Sequence, residues 1–193
     1  MLAPGGPDAQ AIAKLAWILF GGGAVIFLGV LVLTVLAHWG GIGLRRRLGS
    51  TAFVVFAGVV FPLVTLTTLL VHGLLLTGSR VMAAGADVLH IDVVGEQWWW
   101  RVYYPPSARG QGAMTANEIR IPAGRDVEIK LTSADVIHSF WVPNLAGKVD
   151  MIPGVTTRIR LRATAPGTFR GQCAEYCGGP HALMAFHVVA LEP

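Results

Sequence analysis

"GQCAEYCGGPHALM", Gly171 to Met184, carries both cysteines of the 193-residue chain. Three residues separate them, and a histidine and a methionine follow close behind. Three chemistries could use such a loop. Paired cysteines in an exported domain commonly form a disulfide, but this one would close a short loop and stabilise little. It would also leave His181 and Met184 without a role. Zinc takes two thiolates and two imidazoles in a closed structural site; Cys173, Cys177, His181 and a remote histidine would serve, and Met184 would again be idle. Thiolate, imidazole and thioether together are soft ligands that suit copper. Two cysteines in one loop can bridge two copper ions, each of which then needs one histidine and a weak axial ligand. The loop lacks one imidazole for that. "SADVIHSFWVPNLAGKVDMIPG" offers it: His138 precedes Cys173 by 35 residues, on a strand edge that a Greek-key fold can pack beside the final strand pair.

The rest of the chain says where this loop works. Of its residues 53% are hydrophobic and only 13% are charged, too apolar for an ordinary soluble domain of this length. The excess is localised. Leu15 to Ala37 is a run of 23 residues without Asp, Glu, Lys or Arg, and Leu48 to Ser79 is a second of 32. A helix needs about 20 apolar residues to cross a bilayer core. A cleaved signal peptide fits the first run poorly: its apolar core is too long, and no basic residue lies before Lys14. Arg45, Arg46 and Arg47, between the runs, should stay in the cytoplasm. Two spans then place both termini, and everything from about Val81 onward, on the outer face, where thiols can be oxidised. In the second span Pro62 should kink the helix, with Thr65, Thr67 and Thr68 beside it. His72 reads as a hydrogen-bonding residue near the outer face, and His38 as an interfacial one.

The outer part reads as β. "VLHIDVVG", "EIRIP", "DVEIKLTS", "TRIRLRA" and "MAFHVVAL" alternate apolar and polar residues, and the breaks "PPSARGQG", "PAGRD", "PNLAGK", "IPG" and "APG" separate them. Short strands with such turns suggest a Greek-key sandwich or barrel. From Val81 to Pro193 ten acidic residues balance ten basic ones, so the net charge of +4 belongs to the membrane part. Nothing here suggests nucleic acid. "GEQWWWRVYYPP" places three tryptophans in a row. If all lie in one strand, Trp98 and Trp100 share a face and Trp99 points the other way; a core or membrane-interface role is expected for Trp99.

Cys-x-Glu-x-Cys-x3-His-x2-Met, the upstream "IHSFWVP" and the two-helix anchor resemble subunit II of the haem-copper cytochrome c oxidases, over nearly the whole chain. The resemblance implies a transmembrane helical hairpin in residues 1–80, with spans at about 12–38 and 50–78, and an all-β, cupredoxin-like barrel in residues 81–193 carrying the dinuclear copper centre CuA. By that likeness one copper is held by His138 and Met184, the other by His181 and the backbone carbonyl of Glu175, and both share Cys173 and Cys177. The Glu175 carboxylate resembles a ligand to a magnesium ion at the border with subunit I, and Trp98 the residue where electrons enter. The family's role is to take electrons from a c-type cytochrome and pass them to a haem in subunit I. Oxygen is reduced to water there, coupled to proton translocation, so no catalytic residue is expected in this chain. The implied partners are subunits I and III, the cytochrome and the bilayer. The implied setting is a bacterial inner membrane, with both termini and the copper domain in the periplasm.

Three features depart from the family. "YYPPSARGQGAMTANE" contains one acid, Glu118, where many members display a carboxylate cluster that attracts basic cytochrome c. "RRRLGSTAF" has no glutamate before the second helix. Val155 stands where the family has an arginine after "IPG". Three other functions share parts of this pattern. A thioredoxin-fold copper chaperone needs a βαβ pattern that is missing. A quinol-oxidase relative without copper would not need the six ligands. A CuA domain of a nitrous or nitric oxide reductase shares the loop and differs in its partner.

Overall fold

A computed structural model of the chain describes residues 3–81, 88–106 and 111–192. They fall into two units: a helical one within 18–86, and a β one formed by the residues after 86 together with the N-terminal 3–17. The expected junction at 80–81 abuts residues 82–87, and the centre of the "PPSARGQG" break is residues 107–110; both segments lie outside the described residues.

Helix α1 runs Pro7–Trp39 and α2, carrying the exposed Arg45, Arg46 and Arg47, runs Ile42–Leu48. Ser50 caps α3, Thr51–Val55, by accepting the Phe53 N–H at 3.4 Å. The chain then widens into a π turn, Phe56–Val60, and continues as α4, Phe61–Val81. Pro62 accounts for the wide turn. It has no N–H for the Gly58 carbonyl, and the Phe61 N–H bonds back to Phe56, one residue further than in an α-helix. The disturbance expected at Pro62 thus lies in the turn just before it. Pro7–Trp39 and Thr51–Leu75 have mean hydropathies of 2.6 and 2.4 and are long enough to cross a bilayer. The Thr68 hydroxyl donates to the Val64 carbonyl at 2.8 Å, so it is satisfied within its own helix.

The β unit has ten strands: β1 Leu89–Glu96, β2 Trp99–Tyr104, β3 Ala113–Ala116, β4 Glu118–Pro122, β5 Val127–Ser133, β6 His138–Trp141, β7 Lys148–Met151, β8 Thr157–Leu161, β9 Gly167–Cys173 and β10 Ala185–Leu191. They form two five-stranded sheets, in the orders β3-β2-β1-β5-β8 and β4-β10-β9-β6-β7. Two pairs are parallel, β1 with β5 and β4 with β10. Alternation decides which side chains face the core. Ile91 and Val93 of β1, Val127, Ile129 and Leu131 of β5, and Val188 of β10 are fully buried, while their neighbours point outward. Each buried Val, Ile or Leu contributes roughly 1.5–3 kcal/mol of transfer free energy. The five strands expected from alternation all occur.

The tryptophan run differs from expectation. β2 begins at Trp99, and Trp98 sits in the preceding turn, 39% exposed. Trp100 is the fully buried core residue. Trp99 points outward, with the Arg101 guanidinium 5.3 Å from its ring centroid. The turn breaks the alternation that would have put Trp98 and Trp100 on one face. An N-terminal strap also belongs to this unit. The Gly5 N–H donates to Asn144 at 2.7 Å, the Thr164 N–H to Gly5 at 2.8 Å, and Ala9 is buried.

On the outer face Glu128 meets two arginines and a histidine: Arg158 at 2.6 Å, Arg160 at 3.6 Å and His90 at 3.5 Å. The Arg158 hydrogen bond holds its carboxyl below the usual value, against partial burial, with further help from His90 and Arg160. A depressed carboxylate pKa stabilises above the unfolded-state value, about 4.3, and the gain is lost as pH falls through the folded value. Glu128→Gln should therefore cost about 1 kcal/mol or less at pH 7. Urea unfolding of both proteins should show that gap closing as the pH drops below about 4.

Candidate metal centre

Three stretches of chain bring polar atoms to one end of the β unit. β9 ends at Cys173, and β6, its neighbour in the sheet, begins at His138. His138 is therefore the first residue of an internal strand. The loop after β9 carries Cys177, and a 3-10 turn, Gly179–Leu183, follows. In that turn the His181 N–H donates to Gly178 and the Met184 N–H to His181, both at 3.1 Å. This tight winding returns His181 and Met184 to the cysteines. The third stretch is the turn between β1 and β2, with Gln97 and Trp98.

The donor atoms form one cluster. Cys173 Sγ lies 3.8 Å from Cys177 Sγ, 3.8 Å from His138 Nδ1 and 3.2 Å from the Glu175 carbonyl oxygen. Cys177 Sγ lies 3.5 Å from His181 Nδ1 and 3.7 Å from Met184 Sδ. Both cysteines are free thiols. His138, Cys173, Cys177 and Met184 are buried, and His181 is half-buried. The donor atoms of His138, Cys173 and Cys177 fall within 4.8 Å of one another, a spacing that one metal ion can span. The Glu175 carboxylate points elsewhere: its side chain is 44% exposed, with Lys148 Nζ at 3.4 Å.

The thiols are inequivalent. Burial pushes Cys173 up, but hydrogen bonds with His138, with the backbone of Glu175 and Ser139, and with Cys177 bring it down to about 6. Burial and the negative charge of Cys173 push Cys177 up to about 12. The pair thus surrenders its first proton readily and holds the second. A metal cation would supply the charge that lets both ionise.

The six residues expected as ligands converge here with Trp98 beside them, but their supporting residues were not expected from the sequence. Asp135 Oδ1 lies 2.8 Å from His138 Nε2. Burial disfavours charge on both partners. Cys173 and Asp135 nevertheless raise the His138 pKa above its ordinary value. His138 and the amides of Gln97 and Val136 lower that of Asp135. The Gln97 side-chain amide and the Trp98 indole N–H both donate to the Cys177 carbonyl, at 2.8 and 3.1 Å. Trp100 donates its indole N–H to the Met184 carbonyl at 3.4 Å. An acid three residues before a candidate histidine ligand, in "DVIH", was the available signal for Asp135.

Two facing antiparallel-rich sheets with a dithiol, two imidazoles and a thioether gathered at one end define a cupredoxin-like domain with a candidate metal site, in a chain with two long apolar helices. The family model described as cytochrome c oxidase subunit II, periplasmic domain, matches residues 89–191, and the chain belongs to that family. Cytochrome c oxidase subunit 2 of Alkalihalophilus pseudofirmus is 39% identical over 151 residues, covering 75% of this chain and 42% of that protein. The same subunit of Thermostichus vulcanus is 44% identical over 108 residues, covering 56% and 31%. The chain spans less than half the length of these curated relatives. The crystal structure of the periplasmic domain of subunit II of cytochrome oxidase from Bradyrhizobium japonicum is similar, with a TM-score of 0.52 and 32% identity. That likeness covers 57% of this chain and 88% of that one. The chain is thus a membrane-anchored protein with an exported β domain.

Gly178 makes the contact with Trp98 possible. Its φ is +121°, and a Cβ there would come within 3.1 Å of the Trp98 indole nitrogen. Gly178→Ala should destabilise the β unit by about 1 kcal/mol or more. It should also free the Trp98 indole from the Cys177 carbonyl. Hydrogen exchange at the Trp98 indole N–H, followed by NMR, should accelerate in this variant while the Trp100 indole stays protected.

Proposed function

We propose that this chain is the electron-transfer subunit of a haem-copper terminal oxidase in a bacterial inner membrane. In this reading its β domain lies in the periplasm, with both termini, and holds the dinuclear CuA centre. The observation that carries the proposal is the buried convergence of two thiols, two imidazoles, one thioether and one backbone carbonyl, with every neighbouring contact between 3.2 and 3.8 Å.

The donor set fits two copper ions. His138 and Met184, assigned to one copper, touch different sulfurs, Cys173 and Cys177 respectively. His181 and the Glu175 carbonyl, assigned to the other, touch Cys177 and Cys173. The residues assigned to each copper thus reach both thiols, so Cys173 and Cys177 would hold the two ions together. A zinc site with two sulfurs and two nitrogens would leave a fully buried thioether against Cys177 with nothing to bind. When bound, the copper pair supplies a one-electron carrier between an outside donor and a haem.

The chain's own residues shape that carrier. The buried sulfurs exclude water, which keeps the dielectric low and reorganisation small. Trp98 presents a partly exposed indole to a docking c-type cytochrome, and its N–H contact to the Cys177 carbonyl shortens the path inward. The helical hairpin packs against subunit I, which reduces oxygen to water with proton translocation, and subunit III completes the complex. Glu175, with its carboxylate turned outward, is positioned to share a magnesium ion with subunit I, displacing Lys148. The reading favours a cytochrome oxidase over a copper-free quinol-oxidase relative because the ligand set is complete.

Metal analysis of the copper-loaded full chain should give two copper ions. Its spin-resonance spectrum should be that of one electron shared over both. Cys177→Ser should abolish this signal, whereas Met184→Leu should keep both ions and shift the reduction potential, because a thioether is a weak axial ligand. One zinc per chain, or equal mild effects of the two changes, would defeat the reading.

Docking should depend little on salt. The β domain is charge-balanced, and exposed charges more than about 10 Å apart are screened at ordinary ionic strength. Stopped-flow reduction by the native cytochrome should vary weakly across a salt series and slow markedly in Trp98→Gln. A steep loss of rate with salt would place the docking surface elsewhere.

A further inference from the structure

We infer that Asp135 is a positioning residue that ties the His138 side of the sulfur cluster to the Trp98 corner. The inference rests on the copper reading only for what His138 binds; the tie itself is a property of the metal-free chain.

The two oxygens of this carboxylate have separate tasks. Oδ1 faces His138 Nε2 at 2.8 Å and accepts the Val136 N–H at 2.6 Å. Oδ2 accepts the backbone N–H of Gln97 at 2.7 Å. Gln97 in turn donates its side-chain amide to the Cys177 carbonyl, which also receives the Trp98 indole. Cys177 lies against Cys173, and Cys173 against His138. The contacts therefore close a ring through three loops: β5–β6, β1–β2 and the loop after β9. Asp135 is the member that joins the first two.

Two physical consequences follow. A carboxylate at Nε2 makes that nitrogen the proton carrier, so the lone pair of the neutral ring sits on Nδ1, the atom facing Cys173. The ring also has little room to turn, since a Cβ on Gly95 would come within 2.9 Å of it. The second consequence is mutual. A shift of the imidazole pulls on Asp135, which pulls on the Gln97 amide and so on the carbonyl contact made by Trp98. The residue where electrons enter and the buried ligand thus share one anchor.

Asn offers a clean dissection because it is isosteric. Whichever way its amide turns, one of the two contacts meets a donor in place of an acceptor. The Oδ1 side serves two N–H groups and should keep the oxygen, so the Gln97 contact should be lost. In the metal-free full chain, hydrogen exchange at the Gln97 amide should accelerate in both Asp135→Asn and Asp135→Ala, with the core strands unchanged. Loaded with copper, Asp135→Ala should lose about 10–100-fold in copper affinity, measured by chelator competition, with an altered spin-resonance spectrum. Asp135→Asn should stay near the parent in both. Unchanged Gln97 exchange in either variant would overturn the tie. So would a loss of protection spread evenly over the β unit, which would mark a merely structural role. Parent-like affinity and spectrum in Asp135→Ala would overturn the positioning of His138. If the parent chain itself binds no copper pair, the copper reading fails, while the exchange experiment still decides the tie.

Discussion

Trp100, Phe140 and Phe186 meet ring against ring between the two sheets, and the donor cluster is arranged around them. Trp100 comes from one sheet, Phe140 and Phe186 from the other; the centroids lie 4.7–5.8 Å apart. Such rings bury large apolar area and add edge-on attraction. Each ring also fixes a donor. Phe140 pairs in register with Cys173 and sits two residues beyond His138 on β6. Phe186 sits two residues beyond Met184, and Trp100 holds the Met184 carbonyl. Gly171 lets the arrangement close, because any Cβ there would overlap the Phe186 ring. A smaller side chain at any of the three would free the strand ends that deliver Cys173, His138 and Met184.

This arrangement separates rigidity from chemistry. Cys173 and His138 are placed by adjacent strands and cannot move without shifting a sheet. Cys177, His181 and Met184 come from a loop, but its 3-10 winding and the contacts from Gln97, Trp98 and Trp100 leave it little freedom. A cluster held this way changes little in geometry when its charge changes. That property would suit the electron-carrying role proposed above. Gly178, with a φ of +121°, sits next to the carbonyl that two of these side chains share.

The candidate ligands were legible in the sequence because their spacing is chemical. A thiol, imidazole and thioether within one short loop have few joint uses, and the missing imidazole could be sought upstream. Five strands were legible because their alternation is regular. β6 was harder: His138, Ser139 and Phe140 are all buried, so no alternation marks it. β3 is short and nearly all exposed, and β9 is interrupted by glycine. The tryptophan run misled because a turn at Gln97 and Trp98 resets the face, and no residue there signals it by type. Asp135 and Gln97 were not legible as a pair. They are 38 residues apart, and only the pairing of β1 with β5, and the close of β1 against the loop that follows β5, brings them together.

Charge on the β domain is spent locally. Glu128 is matched by Arg158, Arg160 and His90, Asp92 by Lys130, Glu118 by Arg120, and Glu96 by Arg101. Near the cluster, Lys148 satisfies both Asp150 and Glu175. Pairs of this kind cancel within a few ångströms and project little field into solvent. The loops that carry the donors present a different surface. Tyr176 and Leu183 are 76% and 81% exposed, and Val136, Ile137 and Trp98 are partly exposed with them. Large apolar side chains left in water on donor-bearing loops favour a partner that covers them. The absent carboxylate cluster and these exposed side chains are therefore consistent with one another. In the proposed function, a redox partner that is not steered from a distance would be held by contact, and these exposed side chains lie on the same loops as the candidate ligands.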